Sequence, residues 1–139
     1  LFARRGFNIV SLAVAPTENI LFSRLTIVVD AESAPLEQVV KQLDKLINVV
    51  EIQELAPTES VARELLLATV QVNDGQEDRV MKNIENFEAN ILNVGPQKIM
   101  VSLSGDVNQV DKFEASLEEF GIIEIQRTGT IALASISNS

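Results

Sequence analysis

The order of strands and helices in the second half of this chain recurs, without its opening, in the first half. That internal repeat limits the fold to two related α+β units. Its clearest trace is Val50-Glu51-Ile52-Gln53 against Ile123-Glu124-Ile125-Gln126, 73 residues apart. Residues 25–30 and the helical pattern after them stand 74 residues before residues 99–104 and theirs. Asn8-Ile9 stands 82 residues before Asn90-Ile91, so the first half has the longer turn between its middle strands.

Local patterns support this reading. In the second half, residues 65–72 form an apolar strand. Asp74 and Glu77 then provide a capping pair for a helix reaching Phe87, with Val80, Met81, Ile84 and Phe87 inward. Residues 91–94 and 98–104 read as strands around the turn Gly95-Pro96. Asp106 and Gln109 repeat the capping logic for a helix that buries Val107, Val110, Phe113, Leu117 and Phe120 and stops at Gly121. Residues 122–127 are a strand, and residues 131–134 a short extra one. This β-α-β-β-α-β order is the split-βαβ, or ferredoxin-like, arrangement.

The first half gives the same order minus its start. Leu1–Arg5 reads as a last helical turn, with Gly6 suited to the left-handed position beyond it. Residues 9–15 and 21–30 alternate as strands around the turn chemistry of Pro16-Thr17-Glu18-Asn19. Pro35 opens a helix whose apolar positions are Val39, Val40, Leu43, Leu46 and Ile47. Residues 49–55 alternate as a strand. Ala56-Pro57-Thr58-Glu59-Ser60 then breaks the pattern. The expected organisation is a first domain over 1–56, a linker over 57–63 and a second domain over 64–139. Carried back by 82 residues, the strand at Leu65 falls before Leu1, so a strand and most of a helix, roughly 17 residues or more, are expected ahead of the first unit.

The formal net charge of −9 disfavours nucleic acid and anionic membrane surfaces as partners. The sequence contains no Cys and no His, which excludes thiolate catalysis, disulfides, zinc sites and the usual general base near neutral pH. No apolar run approaches the ~18 residues of a membrane span. The acidic residues fall on polar helix faces and in turns, where solvated surface is the plain reading. The six glycines are dispersed and form no phosphate loop. At 139 residues each half is small, so association with a second copy is expected.

One segment invites a ligand. Gly6-Phe7-Asn8-Ile9 joins a helix end to a strand, and Asn8 offers both a donor and an acceptor to the polar end of an amino acid. The same residues also serve to close a helix or hold a turn, and local chemistry alone does not choose between the roles.

Leu1-Phe2-Ala3-Arg4-Arg5-Gly6-Phe7-Asn8-Ile9, Ser11-Leu12, Ala13-Val14-Ala15-Pro16-Thr17 and Ser23-Arg24-Leu25-Thr26-Ile27-Val28-Val29 resemble the small regulatory subunit family of acetohydroxyacid (acetolactate) synthase. So do Lys41-Gln42-Leu43-Asp44-Lys45-Leu46-Ile47, Arg63-Glu64-Leu65 and Arg127-Thr128-Gly129-Thr130-Ile131-Ala132-Leu133. The resemblance implies a first half that is an ACT domain, lacking its first strand, and a second that is the family's C-terminal ferredoxin-like domain. It implies a homodimer through the ACT domains that binds and activates a catalytic subunit and confers feedback inhibition by valine or another branched-chain amino acid. Thiamine diphosphate, magnesium and FAD would belong to the catalytic partner, with no cofactor in this chain. The effector would sit between two ACT domains, one wall mapping onto Gly6, Phe7, Asn8 and Ile9. Many members carry an acidic residue where this chain has Val10. Losing a charge beside the site would alter the effector response; on strict alternation Val10 points to the other face from Ile9, which would leave the response unchanged, and the sequence leaves both outcomes open.

The resemblance makes the chain a subunit rather than an enzyme. The alternatives are an amino-acid-sensing ACT-type module of another enzyme or transcription regulator, and a small enzyme on a ferredoxin-like scaffold. A cytoplasmic location is expected, with a plastid as the alternative if a leader has been removed.

Overall fold

The structure, a computed structural model, describes residues 9–29, 36–46 and 48–136. The chain forms two compact units. One holds the residues before Ala62 together with those from Thr130 onward; the other is Ala62–Gly129. The expected linker 57–63 is a single 3₁₀ turn, Pro57–Glu59, followed by the start of a strand. The expected second domain, 64–139, includes a tail that the contacts place with the first unit.

In the first unit, β1 (Ile9–Pro16) pairs antiparallel with β2 (Ser23–Val29). The turn between them is held by its own side chains. The Thr17 hydroxyl donates to the Asn19 and Phe22 carbonyls at 2.9 and 3.1 Å, and the Leu21 N–H donates to Asn19 Oδ1 at 3.1 Å. This closed loop keeps residues 21 and 22 out of the strand, so β2 begins two residues later than the alternation predicts. α1 (Leu36–Asp44) follows, with Val40 and Leu43 half-buried and Leu46 exposed beyond its end. Leu1–Arg5, Asp30, Pro35 and Ile47, to which sequence reading assigned helix, strand and capping roles, lie outside the described residues.

Residues 49–55 are not a strand. Their counterpart in the second unit is β6 (Ile122–Arg127), which pairs with β3 (Ser60–Gln71). Among the described residues the first unit has no strand in the position of β3. Alternation alone does not make a strand: the backbone N–H and C=O groups need a ladder partner.

The second unit has the full order β3, α2 (Glu77–Asn86), β4 (Asn90–Gly95), β5 (Lys98–Gly105), α3 (Val107–Leu117), β6. The strands lie in the order β4-β5-β3-β6, all neighbours antiparallel. β7 (Ile131–Ala134) also pairs with β3. This is the ferredoxin-like sheet, with the first strand inside and the second at an edge.

Two periodicities build the core. Leu66, Ala68 and Val70 of β3 and Ile99, Val101 and Leu103 of β5 are buried with period two. Val80 and Ile84 of α2 and Val110, Phe113 and Leu117 of α3 are buried with helical spacing. The Phe87 and Phe113 rings meet at 5.2 Å, tilted by 54°, a favourable aromatic geometry. α3 begins with the expected capping box: Gln109 N–H donates to Asp106 Oδ1 at 2.9 Å, and Asp106 N–H donates to Gln109 Oε1 at 3.2 Å. After α3, Gly121 takes φ +98°, a conformation that glycine adopts without strain.

Three expectations are corrected. α2 is capped by Gln76, without a side-chain hydrogen bond, and not by Asp74. Gly75, at φ +86°, redirects the chain, and the Glu77 carboxylate accepts from Gly75 N–H at 3.1 Å. Met81 is 46% exposed and Val107 is also exposed, because the inward stripes of α2 and α3 are narrower than the apolar pattern.

The repeat extends to an irregularity. The β1–β2 ladder shifts register between Ile9 and Ser11, and the β4–β5 ladder between Ile91 and Asn93. The extra residues, Val10 and Leu92, are 82 positions apart. Each bulge interrupts the ladder at the same place in its unit.

Replacing Phe113 with Ala should lower the stability of the second unit by about 3–5 kcal/mol, through lost burial and a residual cavity. Met81→Ala should stay within about 0.5 kcal/mol, as surface changes do. Urea unfolding of the two variants checks both, and equal effects would contradict the assigned core.

Candidate functional site

Of the four sequence-derived effector residues, Gly6, Phe7 and Asn8 lie outside the described residues, and Ile9 opens β1. Ile9 pairs with Val29 and is partly exposed. The strand leaving the segment has two unlike faces. Leu12 opposite Ile27 and Val14 opposite Leu25 form an apolar face, on which Leu12, Val14 and Leu25 are exposed. Ser11, Ala13 and Ala15 stand opposite Val28, Thr26 and Arg24. Ser11 Oγ accepts from the N–H of buried Thr130 at 2.7 Å.

The bulge changes the reading of Val10. Strict alternation would turn Val10 away from Ile9, but the ladder slips here, and Ile9 and Val10 are both exposed, Val10 at 66%. Strict alternation therefore does not hold at Val10, since a bulge re-aims the side chains on either side of it.

Sequence reasoning missed the best-ordered polar constellation. Glu64 begins the apolar run of β3, yet its side chain is 5% exposed. Arg127, at the end of β6, holds it with two hydrogen bonds, Nε to Oε2 at 2.8 Å and Nη2 to Oε1 at 3.0 Å. Arg127 Nη1 also reaches Glu114 Oε1 and Asp111 Oδ1, each at 2.9 Å, on α3. One guanidinium thus ties β3, β6 and α3 together through its planar fork. The hydrogen bond to Glu64 is the main influence holding the Arg127 pKa well above its ordinary value; burial opposes it, and Glu114 and Asp111 add to it. With a raised folded-state pKa, the stabilisation is fully present below the ordinary arginine range and fades only as pH climbs through the raised value, so Arg127 stays charged across neutral pH. The available signal was an acidic residue at the head of a buried strand, a position where an unpaired charge is too costly to persist.

Just past the end of α3, Glu119 pairs with Arg79 of α2 at 2.6 Å, and the Arg79 guanidinium lies over the Phe120 ring at 5.5 Å. This cation answers the acidic pair Glu118-Glu119, which otherwise sits unfavourably at a helix C-terminus. A shallow cavity of about 200 Å³ there is lined by Arg79, Lys82, Asn83, Asn86, Glu119 and Phe120. Among the described residues no group of three or more His, Cys, Asp or Glu has an arrangement that could hold a metal ion. Nor is any helix among them long and apolar enough to cross a membrane.

The fold defines a class: two ferredoxin-like α+β units in tandem, the first of ACT type. Residues 1–51 match the model of the AHAS small subunit-like ACT domain, and residues 63–136 that of the small subunit of acetolactate synthase. The chain belongs to the acetolactate synthase small subunit family. It is 46% identical over 134 residues to the acetolactate synthase small subunit of Mycobacterium bovis, covering 96% of this chain and 80% of that one. It is 38% identical over 135 residues to the isozyme 3 small subunit of Escherichia coli, covering 96% and 83%. The crystal structure of the acetolactate synthase small subunit from Thermotoga maritima superposes with a TM-score of 0.84 at 32% identity, covering 98% of this chain and 85% of that one.

Arg127→Met should destabilise the second unit by about 3–5 kcal/mol, because it removes both guanidinium hydrogen bonds from the buried Glu64 carboxylate. Adding Glu64→Leu should recover most of that loss, since the desolvation cost disappears with the charge. Thermal unfolding of the single and double variants checks this; strictly additive losses would contradict it.

Proposed function

We propose that this chain is a regulatory subunit that binds the catalytic subunit of acetolactate synthase, activates it and confers feedback inhibition by valine or another branched-chain amino acid. The observation that carries the reading is that both units match this one family, each over nearly its whole length. The chemistry is then the partner's, and thiamine diphosphate, magnesium and FAD are assigned to that partner. The cytoplasm is the proposed location.

The effector binds where two copies of the first unit meet. Support comes from β1, which carries no charged residue and leaves Val10, Leu12 and Val14 exposed, a surface suited to a second copy. Asn8 grips the polar end of the amino acid, and Gly6, Phe7 and Ile9 complete that wall. Regulation follows from population shift: valine stabilises one arrangement of the paired first units, and that arrangement couples differently to the catalytic subunit.

In a mixture with the catalytic subunit, the chain should raise the rate, and added valine should lower it. Asn8→Ala should weaken the valine response about ten-fold or more, as expected for a hydrogen bond to a charged group worth about 1.5–3 kcal/mol, and should leave activation in place. A rate unaffected by the chain, with or without valine, would overturn the reading.

A further inference from the structure

The second unit has two sheet edges, and they are unlike. β6 carries Glu124 and Arg127, the latter tied into the carboxylate cluster. β4, the other outermost strand, reads Asn-Ile-Leu-Asn-Val-Gly: it has no charge and no proline, and all six of its residues are exposed. Ile91, Leu92 and Val94 are among the exposed large apolar side chains, at 43%, 51% and 68%. Protein sheets protect free edges with lysine, proline, bulges or covering segments. Among the described residues only the bulge at Leu92 serves, and the ladder resumes at once with Asn93 opposite Met100.

We propose that the free edge of β4 is a self-association surface, to which a second copy of this chain adds its own β4 antiparallel about a two-fold axis. Three features favour a second copy as the occupant. A strand paired with itself is isologous, so a charge-free strand meets a charge-free strand. In a chain of net charge −9, most surfaces of two copies repel, and this one does not. The ends are complementary: Glu88 precedes β4, and Lys98 follows its turn. The Lys98 side chain lies along Gly95, since a Cβ built there would stand 3.6 Å from Lys98 Cγ. Antiparallel pairing brings Glu88 of one copy towards Lys98 of the other at both ends. By the internal repeat, β4 is also the counterpart of β1, bulge for bulge. The contact belongs to the second unit and is separate from the effector-linked pairing proposed for the first.

The chain contains no cysteine, so single introduced thiols report the contact cleanly. Cα atoms of one residue and its own copy at the axis of an antiparallel pair stand about 4.5–5.5 Å apart, within disulfide range. Leu92→Cys and Asn93→Cys are made separately, with Glu124→Cys on β6 as the control, and the whole protein is oxidised mildly. At least one β4 variant should form a covalent dimer about ten times faster than the control, or more, because pairing raises the local thiol concentration. Adding Val94→Lys should return that variant to the control rate, with its circular dichroism unchanged. The proposal is overturned if neither β4 thiol cross-links faster than Glu124→Cys, or if, with the catalytic subunit present, the thiols react with that subunit instead. Loss of valine response with β4 cross-linking intact would count against the effector reading alone.

Discussion

β3 carries hydrogen-bonded ladders on both of its edges, and the second unit is built outward from that fact. β5 and β6 are fixed against it in register, Leu66 facing Leu103 on one side and Arg127 on the other. The same strand presents Leu66, Ala68 and Val70 to the helices, so its burial and its pairing reinforce each other. Glu64 at its head is held by Arg127 from β6, which locks the two strands where the apolar run begins.

Among its described residues the first unit has no strand in the position of β3. Val50-Glu51-Ile52-Gln53 and Ile123-Glu124-Ile125-Gln126 are nearly the same tetrapeptide, yet only the second is a strand. Periodicity states which face a residue would take if a strand formed. The ladder partner decides whether it forms. β1 and β2, by contrast, need only each other and a turn held by Thr17 and Asn19, and their counterparts β4 and β5 carry a bulge in the same place.

Legibility followed the range of the interaction. The order of the second unit, its alternating core strands, the capping box at Asp106 and the stop at Gly121 are local or periodic, and the sequence displayed them. The cap of α2 falls at Gln76, two residues past Asp74, because Gly75 at positive φ redirects the chain between them. The Arg127 cluster joins residues up to 63 positions apart, a pairing that no spacing rule reveals. Of the effector segment, the sequence supplied Gly6, Phe7, Asn8 and Ile9 through family resemblance rather than through local chemistry. The structure adds the bulge at Val10, beside Ile9.

The proposed function divides labour between the units: the first is proposed to sense a small apolar amino acid, and the second has a closed core that holds its surface fixed. Hydrogen–deuterium exchange of the protein, with and without valine, tests that division most directly. Valine should slow exchange in the first unit around Ile9 and β1, while the amides of β3 and β5 stay equally slow in both states. Unchanged exchange throughout, or a valine effect confined to the second unit, would contradict it.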